Sequence, residues 1–348
     1  KTLIILDEIQ EVPRAIQSLK YFNEDAREYP VCAAGSLLGI KLRGEYSFPV
    51  GKIKQLILYP MNFEEFVLAL EGKAAYDALR NNPPEELSQL SAKWIELLRQ
   101  YYFTGGMPEA VFNYIQNHNL TEVRELQQQI LEDYNNDISK HTDERTAIRI
   151  HQIWQSIPQQ LSRENKKFMY GNIQKGARAK DYEIALQWLV DAGLIYRIPR
   201  IKKAAVPLKF YEDTEAFKLY AIDCGLMGAM MEAPSSQILI GNNIFQEYKG
   251  SFTEQYVLQQ LITVHSGSLY YYHPDNSQQE LDLVIQKDDR VYGIEVKAEE
   301  NLKAKSLKLF SEEHPQSKAI RVSMAAYREQ DWLTNIPLYL AQRILEIS

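Results

Sequence analysis

Six charged side chains stand where they could do chemistry. Asp7 and Glu8 end the apolar run Leu3 to Leu6. A short buried strand of this kind delivers two carboxylates at its C-terminal edge. Far downstream, Glu295 and Lys297 in "GIEVKA" are two apart, so on a strand both point to one face. Asp282 lies in the strand-like run "ELDLVI" before them, and paired strands can bring it against that face. Glu254 lies further upstream in a helical stretch. Two or three of these carboxylates could hold Mg²⁺, a hard cation that prefers oxygen ligands. Lys297 would then steady a developing charge or orient a water. That is the logic of metal-dependent phosphodiester cleavage. The same residues also read as exposed polar positions on half-buried strands, or as a site kept for binding.

The elements that must position these groups fall into three segments. Residues 1–115 alternate strand-like runs ("LIILDE", "VCAAGS", "KQLILYP") with helical ones ("VPRAIQSLKYFNEDAR", "NFEEFVLAL"). That alternation predicts a parallel sheet with crossovers. Residues 116–231 are mostly helical. They close on a helix over 180–191, capped by Gly193, and on two strands, "LIYRIPRI" and "PLKFYE", joined by a basic loop. Helix, glycine and cationic hairpin outline a winged helix-turn-helix. Residues 232–348 begin with a polar linker. A helix carrying Glu254 follows, then three strand-like runs with a turn at "KDDR", a helix and a strand. Tyr270, Tyr271 and Tyr272, and Trp94, Trp154 and Trp188, read as packing residues.

The chain of 348 residues is 45% hydrophobic and 24% charged, with a net charge of −7. This is the composition of a globular protein with real cores, not of a general nucleic-acid coat. No apolar run is long enough to span a bilayer, and no secretory signal marks the start. With only Cys32 and Cys224 and six scattered histidines, neither a disulfide framework nor a zinc site is expected, and the location expected is cytoplasmic. The charge is uneven. Residues 166–209 hold ten Lys/Arg against three acids. Within this island Arg178, Lys180, Arg197, Arg200, Lys202 and Lys203 are candidate DNA phosphate contacts, the alternatives being a solvated hairpin or a protein-binding wing.

The order of Glu254, Asp282 and Glu295-x-Lys297 resembles the PD-(D/E)xK nuclease superfamily. "LDEIQEVP", "AAGSLL", "LILYPMNFEEF" and "FTGGMPEAV", followed by "KLYAIDCGLM", "GSFTEQYVLQQL", "ELDLVI" and "GIEVKA", resemble an AAA+-type ATPase family of bacteria and archaea over nearly the whole chain. That resemblance implies an α/β fold: a partial P-loop AAA+ sheet (1–115), a winged helix-turn-helix domain (116–231) and a restriction-endonuclease-like domain (232–348). It implies ATP and Mg²⁺ as cofactors of the intact protein. Asp7 would hold Mg²⁺ as a Walker B residue, Glu8 would polarise the attacking water, and Ser36 would sense the γ-phosphate. A second Mg²⁺ would sit on Glu254, Asp282 and Glu295. AAA+ relatives often assemble into rings, so a homo-oligomer is compatible with the resemblance. Two departures matter. No G-x-x-x-x-G-K-[ST] occurs in the chain, so the amides that grip phosphate in such enzymes have no counterpart. Gly51-Lys52 stands where relatives have Gly-Arg, and a lysine cannot make the bidentate arginine contact. The chain is therefore expected to be a fragment starting mid-domain, unable to hydrolyse ATP alone, with at least one strand and one helix upstream of it.

Overall fold

The computed structural model describes residues 2–35, 51–163, 166–234, 246–298 and 304–347. The N-terminal segment has β1 (Ile4–Leu6), α1 (Pro13–Asp25) and β2 (Val31–Ala33). β1 and β2 pair in parallel, Ile4 opposite Val31 and Leu6 opposite Ala33. Helices follow: α2 (Phe63–Glu71), α3 (Lys73–Asn81), α4 (Pro84–Gln89), α5 (Ser91–Thr104), α6 (Pro108–Asn117), α7 (Leu120–His141), α8 (Glu144–Leu161) and α9 (Ala179–Asp191). Their starts follow local rules. Asn62 caps α2 in a reciprocal capping box with Glu65, and α1, α4 and α6 open on Pro13, Pro84 and Pro108. Gly193, at φ 71°, turns the chain out of α9.

The run "KQLILYP" forms no strand. Leu56, Ile57 and Leu58 are exposed, and the described residues offer 54–60 no ladder partner. An extended apolar run becomes a strand only when a neighbour takes its backbone hydrogen bonds. "PLKFYE" is also no strand. It is a 3₁₀ turn over Leu208–Tyr211 that buries Leu208.

The remaining strands are β3 (Ile195–Ile201), β4 (Glu212–Ala221), β5 (Leu269–Tyr272), β6 (Leu281–Lys287), β7 (Arg290–Val296), β8 (Lys318–Ser323), β9 (Arg328–Glu329) and β10 (Thr334–Pro337). Helices α10 (Cys224–Met230), α11 (Gln246–Val264), α12 (Lys305–Glu313) and α13 (Ile344–Ile347) lie among them. All eight strands form one mixed sheet in the order β4-β3-β5-β6-β7-β8-β10-β9. β3 keeps the first strand expected for the wing, but its partner is β4 and not "PLKFYE", and the pair forms the edge of the last segment's sheet. β3 runs parallel to β5, with Arg200 opposite Tyr271 and Ile201 opposite Tyr272.

Both sheet faces are covered, which explains the near-continuous apolar runs in β6 to β8. One face, with Tyr271, Leu283, Ile285 and Ile294, joins a core that also takes in Phe63, Trp94, Ile150, Trp154, Trp188 and Tyr256 from the helices. The other, with Tyr270, Tyr272, Leu281 and Val284, packs under Leu307 and Phe310 of α12. The three tyrosines alternate between the two cores, as period-2 strand geometry requires.

Candidate functional site

The N-terminal carboxylates follow β1 directly. The Ala34 amide donates to the Leu6 carbonyl (2.9 Å) and the Ile9 amide to the Ala34 carbonyl (3.0 Å), so the chain leaving β1 is tied to the chain leaving β2. Asp7 and Glu8 therefore sit at the C-terminal edge of two parallel strands, where open α/β sheets bind ligands. Asp7 is exposed, and its Oδ1 accepts the Glu8 amide at 3.1 Å. Glu8 has the left-handed φ of 46° and accepts a short hydrogen bond from Gln10. Ser36 lies outside the described residues. Lys52 Nζ pairs with Glu24 Oε1 at 3.2 Å. The exposed Asp7 carboxylate suits a cation reached through water. The amide cradle for phosphate is not among the 348 residues, so the residues present fit the cation side of ATP–Mg²⁺ and not its phosphates.

The C-terminal carboxylates are arranged differently from the expected Mg²⁺ set. Glu254, on α11, is 1% exposed. Lys166 donates to its Oε2, and Tyr220 and Lys218 of β4 approach its Oε1, Lys218 at 3.2 Å. Lys218 is itself fully buried and also holds Glu280 at 2.8 Å. Burial alone would raise the Glu254 carboxyl, but the two ammonium groups outweigh it and hold its pKa down at about 2. Burial alone would lower Lys218, but the Glu254, Glu280 and Asp282 carboxylates raise it. Asp282 feels the same cluster. Burial and the Glu254 charge push it up to about 6, although the Val296 amide donates to its Oδ2 at 2.8 Å.

Glu295 and Lys297 do come together, Nζ to Oε1 at 2.7 Å. The other oxygen, Glu295 Oε2, is buried with no hydrogen-bond partner among the described residues. Among the described residues no three Asp, Glu, His or Cys side chains converge to hold a metal ion. Glu254, Asp282 and Glu295 thus do not assemble as a ligand triad: the place of a cation on Glu254 is taken by two lysines. Neither lysine could be foreseen, because both precede the supposed boundary at 231/232 and reach Glu254 only because β4 belongs to the shared sheet.

The basic island is partly spent on the fold. Arg197 lies 4.1 Å over the Phe217 ring and donates to the Thr214 carbonyl at 2.7 Å. Arg200 pairs with Asp213 and, at 3.2 Å, with Asp275. Lys202 is 3.6 Å from Asp213 and 3.7 Å from Asp275. Lys203 stands 5.4 Å from the centre of the Tyr211 ring. Arg178 and Lys180 are exposed at the start of α9. Of the six candidates, Arg178, Lys180 and Lys203 are exposed and make no ion pair with the described residues, and Arg200 and Lys202 are neutralised locally.

Residues 1–67 match the family model AAA_14, an AAA domain. Residues 95–237 match DUF8612 and residues 249–340 match DUF4143, each a domain of unknown function. No curated protein and no solved structure matches the chain. The chain is therefore related to AAA-type ATPases through its N-terminal region. Among the described residues no helix is long and apolar enough to cross a membrane.

The three matched regions meet at a joint that sequence reasoning missed. Asp223, fully buried, caps α10 by accepting the Leu226 amide (3.0 Å). It also accepts the Gly106 amide (2.6 Å) and the Gln259 side-chain amide (2.9 Å). Gln259 further donates to Tyr101 Oη (3.0 Å), and Tyr101 donates to the Met61 carbonyl (2.6 Å). Gln260 accepts the Phe63 amide at 2.7 Å, and Gln255 bonds both backbone groups of Ala221. Gly106 must be glycine, because a Cβ there would lie 2.0 Å from the Met61 carbonyl oxygen. The signal was in "TEQYVLQQL": Gln255, Gln259 and Gln260 alternate with Tyr256, Val257, Leu258 and Leu261, and glutamines set among buried apolar residues of a helix are polar groups in need of partners.

Proposed function

We propose that this chain is the output part of an AAA-type ATPase-related protein, in which a nuclease-like sheet binds DNA without cutting it. Residues 1–115 are the ATPase-type arm. Residues 116–231 and 232–348 act as one body, since β3–β4 and the later strands share a sheet. The helices α8 and α9 followed by that hairpin keep the order of a winged helix, and Arg178, Lys180 and Lys203 are the contacts to phosphate. The observation that carries the non-cleaving half of this reading is the occupation of Glu254 by Lys166, Lys218 and Tyr220. A carboxylate already compensated by two buried or half-buried ammonium groups has little left for a divalent cation. Asp7 contributes the carboxylate for Mg²⁺ on the ATPase side, and no hydrolytic step is assigned to the chain.

A second reading, a Mg²⁺ nuclease, is favoured by Glu295 Oε2, beside Lys297 and without a hydrogen-bond partner among the described residues. Plasmid nicking separates the two. With Mg²⁺ or Mn²⁺ the chain should nick supercoiled DNA no faster than its Glu295→Ala variant. Metal-dependent nicking that disappears in both Glu295→Ala and Lys297→Ala would replace the first reading with the second. Binding is tested by anisotropy on a labelled duplex. Three phosphate contacts give an affinity loss of roughly 40-fold between 50 and 200 mM salt, and Lys180→Glu with Lys203→Glu should flatten that dependence. Lys202→Glu should add little, because Asp213 and Asp275 already hold that lysine. Salt-insensitive or absent binding removes DNA as the partner.

A further inference from the structure

The loop 202–211 between β3 and β4 carries an exposed aromatic residue on a firm base. The Lys202 amide donates to the Tyr211 carbonyl (3.2 Å) and the Phe210 amide to the Pro207 carbonyl (3.1 Å). Leu208 is buried, and its amide donates to Gln286 Oε1 of β6 at 3.0 Å, which pins the loop to the middle of the sheet. On this base Phe210 is 80% exposed. Among the described residues its ring meets only Tyr211, in a T-shaped contact with centroids 5.3 Å apart, and most of the ring is left to solvent. Lys203 and Lys209 are exposed beside it, and the loop contains no Asp or Glu. This ring is held out on a hydrogen-bonded loop beside two lysines that form no ion pair with the described residues, and with 80% of it exposed it adds little to the packing of the fold.

We propose that this tip is a stacking post for an unpaired nucleobase, with Phe210 against the base and Lys203 and Lys209 on the flanking phosphates. The inference rests on the DNA reading above and narrows it to single-stranded DNA, or to a junction where a base is already unstacked. Every base has a π-face, so the contact selects single-stranded character and not sequence. Charge complementarity favours a polyanion. One phenyl ring and the half-exposed Val206 offer too little apolar area for a stable hold on a lipid surface.

The test compares a labelled twelve-nucleotide dT strand with a duplex of the same length, at low salt in EDTA so that no metal chemistry intervenes. Phe210→Ala should weaken single-strand binding roughly 10- to 100-fold and leave duplex binding within twofold, with the salt slope unchanged. Phe210→Trp should restore binding. Lys203→Glu with Lys209→Glu should weaken both substrates and lower the slope. Phe210 is exposed, so the variant should melt with the wild type. If Phe210→Ala binds the dT strand as tightly as wild type while the lysine variant loses both substrates, the stacking post is wrong and the DNA reading stands. If wild type binds neither oligonucleotide, both fail. Phe210-dependent sedimentation with phosphatidylserine vesicles, without oligonucleotide binding, would overturn the proposal in favour of a membrane contact.

Discussion

Lys218→Met is expected to destabilise the protein by about 3–5 kcal/mol, read as a fall in melting temperature on the order of 10 °C. Lys218 is fully buried between Glu254 (3.2 Å) and Glu280 (2.8 Å). Methionine fills similar volume, so the loss is electrostatic: Glu254 stays buried with Lys166 as its remaining cation. Adding Glu254→Gln should recover part of the loss, because it removes the stranded charge. A single variant melting within 2 °C of wild type would sink this account of the cluster. The same network sets a pH dependence of mixed sign. The Glu254 pKa, depressed to about 2, contributes stability present above the ordinary carboxylate range and lost as pH falls toward 2. The Asp282 pKa, raised to about 6, contributes stability present below the ordinary aspartate value and lost as pH rises through 6. Between pH 7 and pH 5 only Asp282 changes state, so this pair of residues makes the protein more stable at pH 5. Urea midpoints at the two pH values should differ in wild type, and the difference should shrink in Asp282→Asn.

The second large effect is expected at Asp223. Asp223→Ala leaves the Gly106 and Leu226 amides without their acceptor and takes one of two acceptors from the Gln259 side chain, in a fully buried position. Each stranded donor costs about 1–3 kcal/mol, so a loss of roughly 4 kcal/mol or more is expected. The lesion lies where three segments meet, so it should loosen them from one another. Limited proteolysis should therefore release pieces from Asp223→Ala under conditions that leave wild type whole. A variant that resists protease like wild type would show that the joint is held by apolar packing alone.

Much of the helical framework was legible because its signals are local. "NFEE" spells a capping box, and Pro13, Pro84 and Pro108 mark first turns. The strands β5 to β8 were legible as apolar runs. What escaped depends on distant partners. "KQLILYP" has strand composition and no ladder. β10, "TNIP", has loop composition, yet lies inside the sheet between β8 and β9, where Asn335 ties Arg321, Ser323 and the Ala325 and Ala326 carbonyls together. The candidate site was half legible. Glu295 and Lys297 share a face as their spacing requires. The partners of Glu254 were hidden, since nothing in a linear reading tells which of thirty-nine cations folds onto a given carboxylate.

The parallel seam of β3 with β5 has a mechanical corollary. A hinge at the 231/232 junction would work against the backbone pairing of β3 with β5, which joins the hairpin before it to the strands after it. A swing of the hairpin relative to the sheet would have to tear that seam. Genetic shuffling should respect the same unit: severed there, the downstream half begins with β5 as a raw, sticky border, and the upstream half carries a two-stranded ribbon with nothing to lean on.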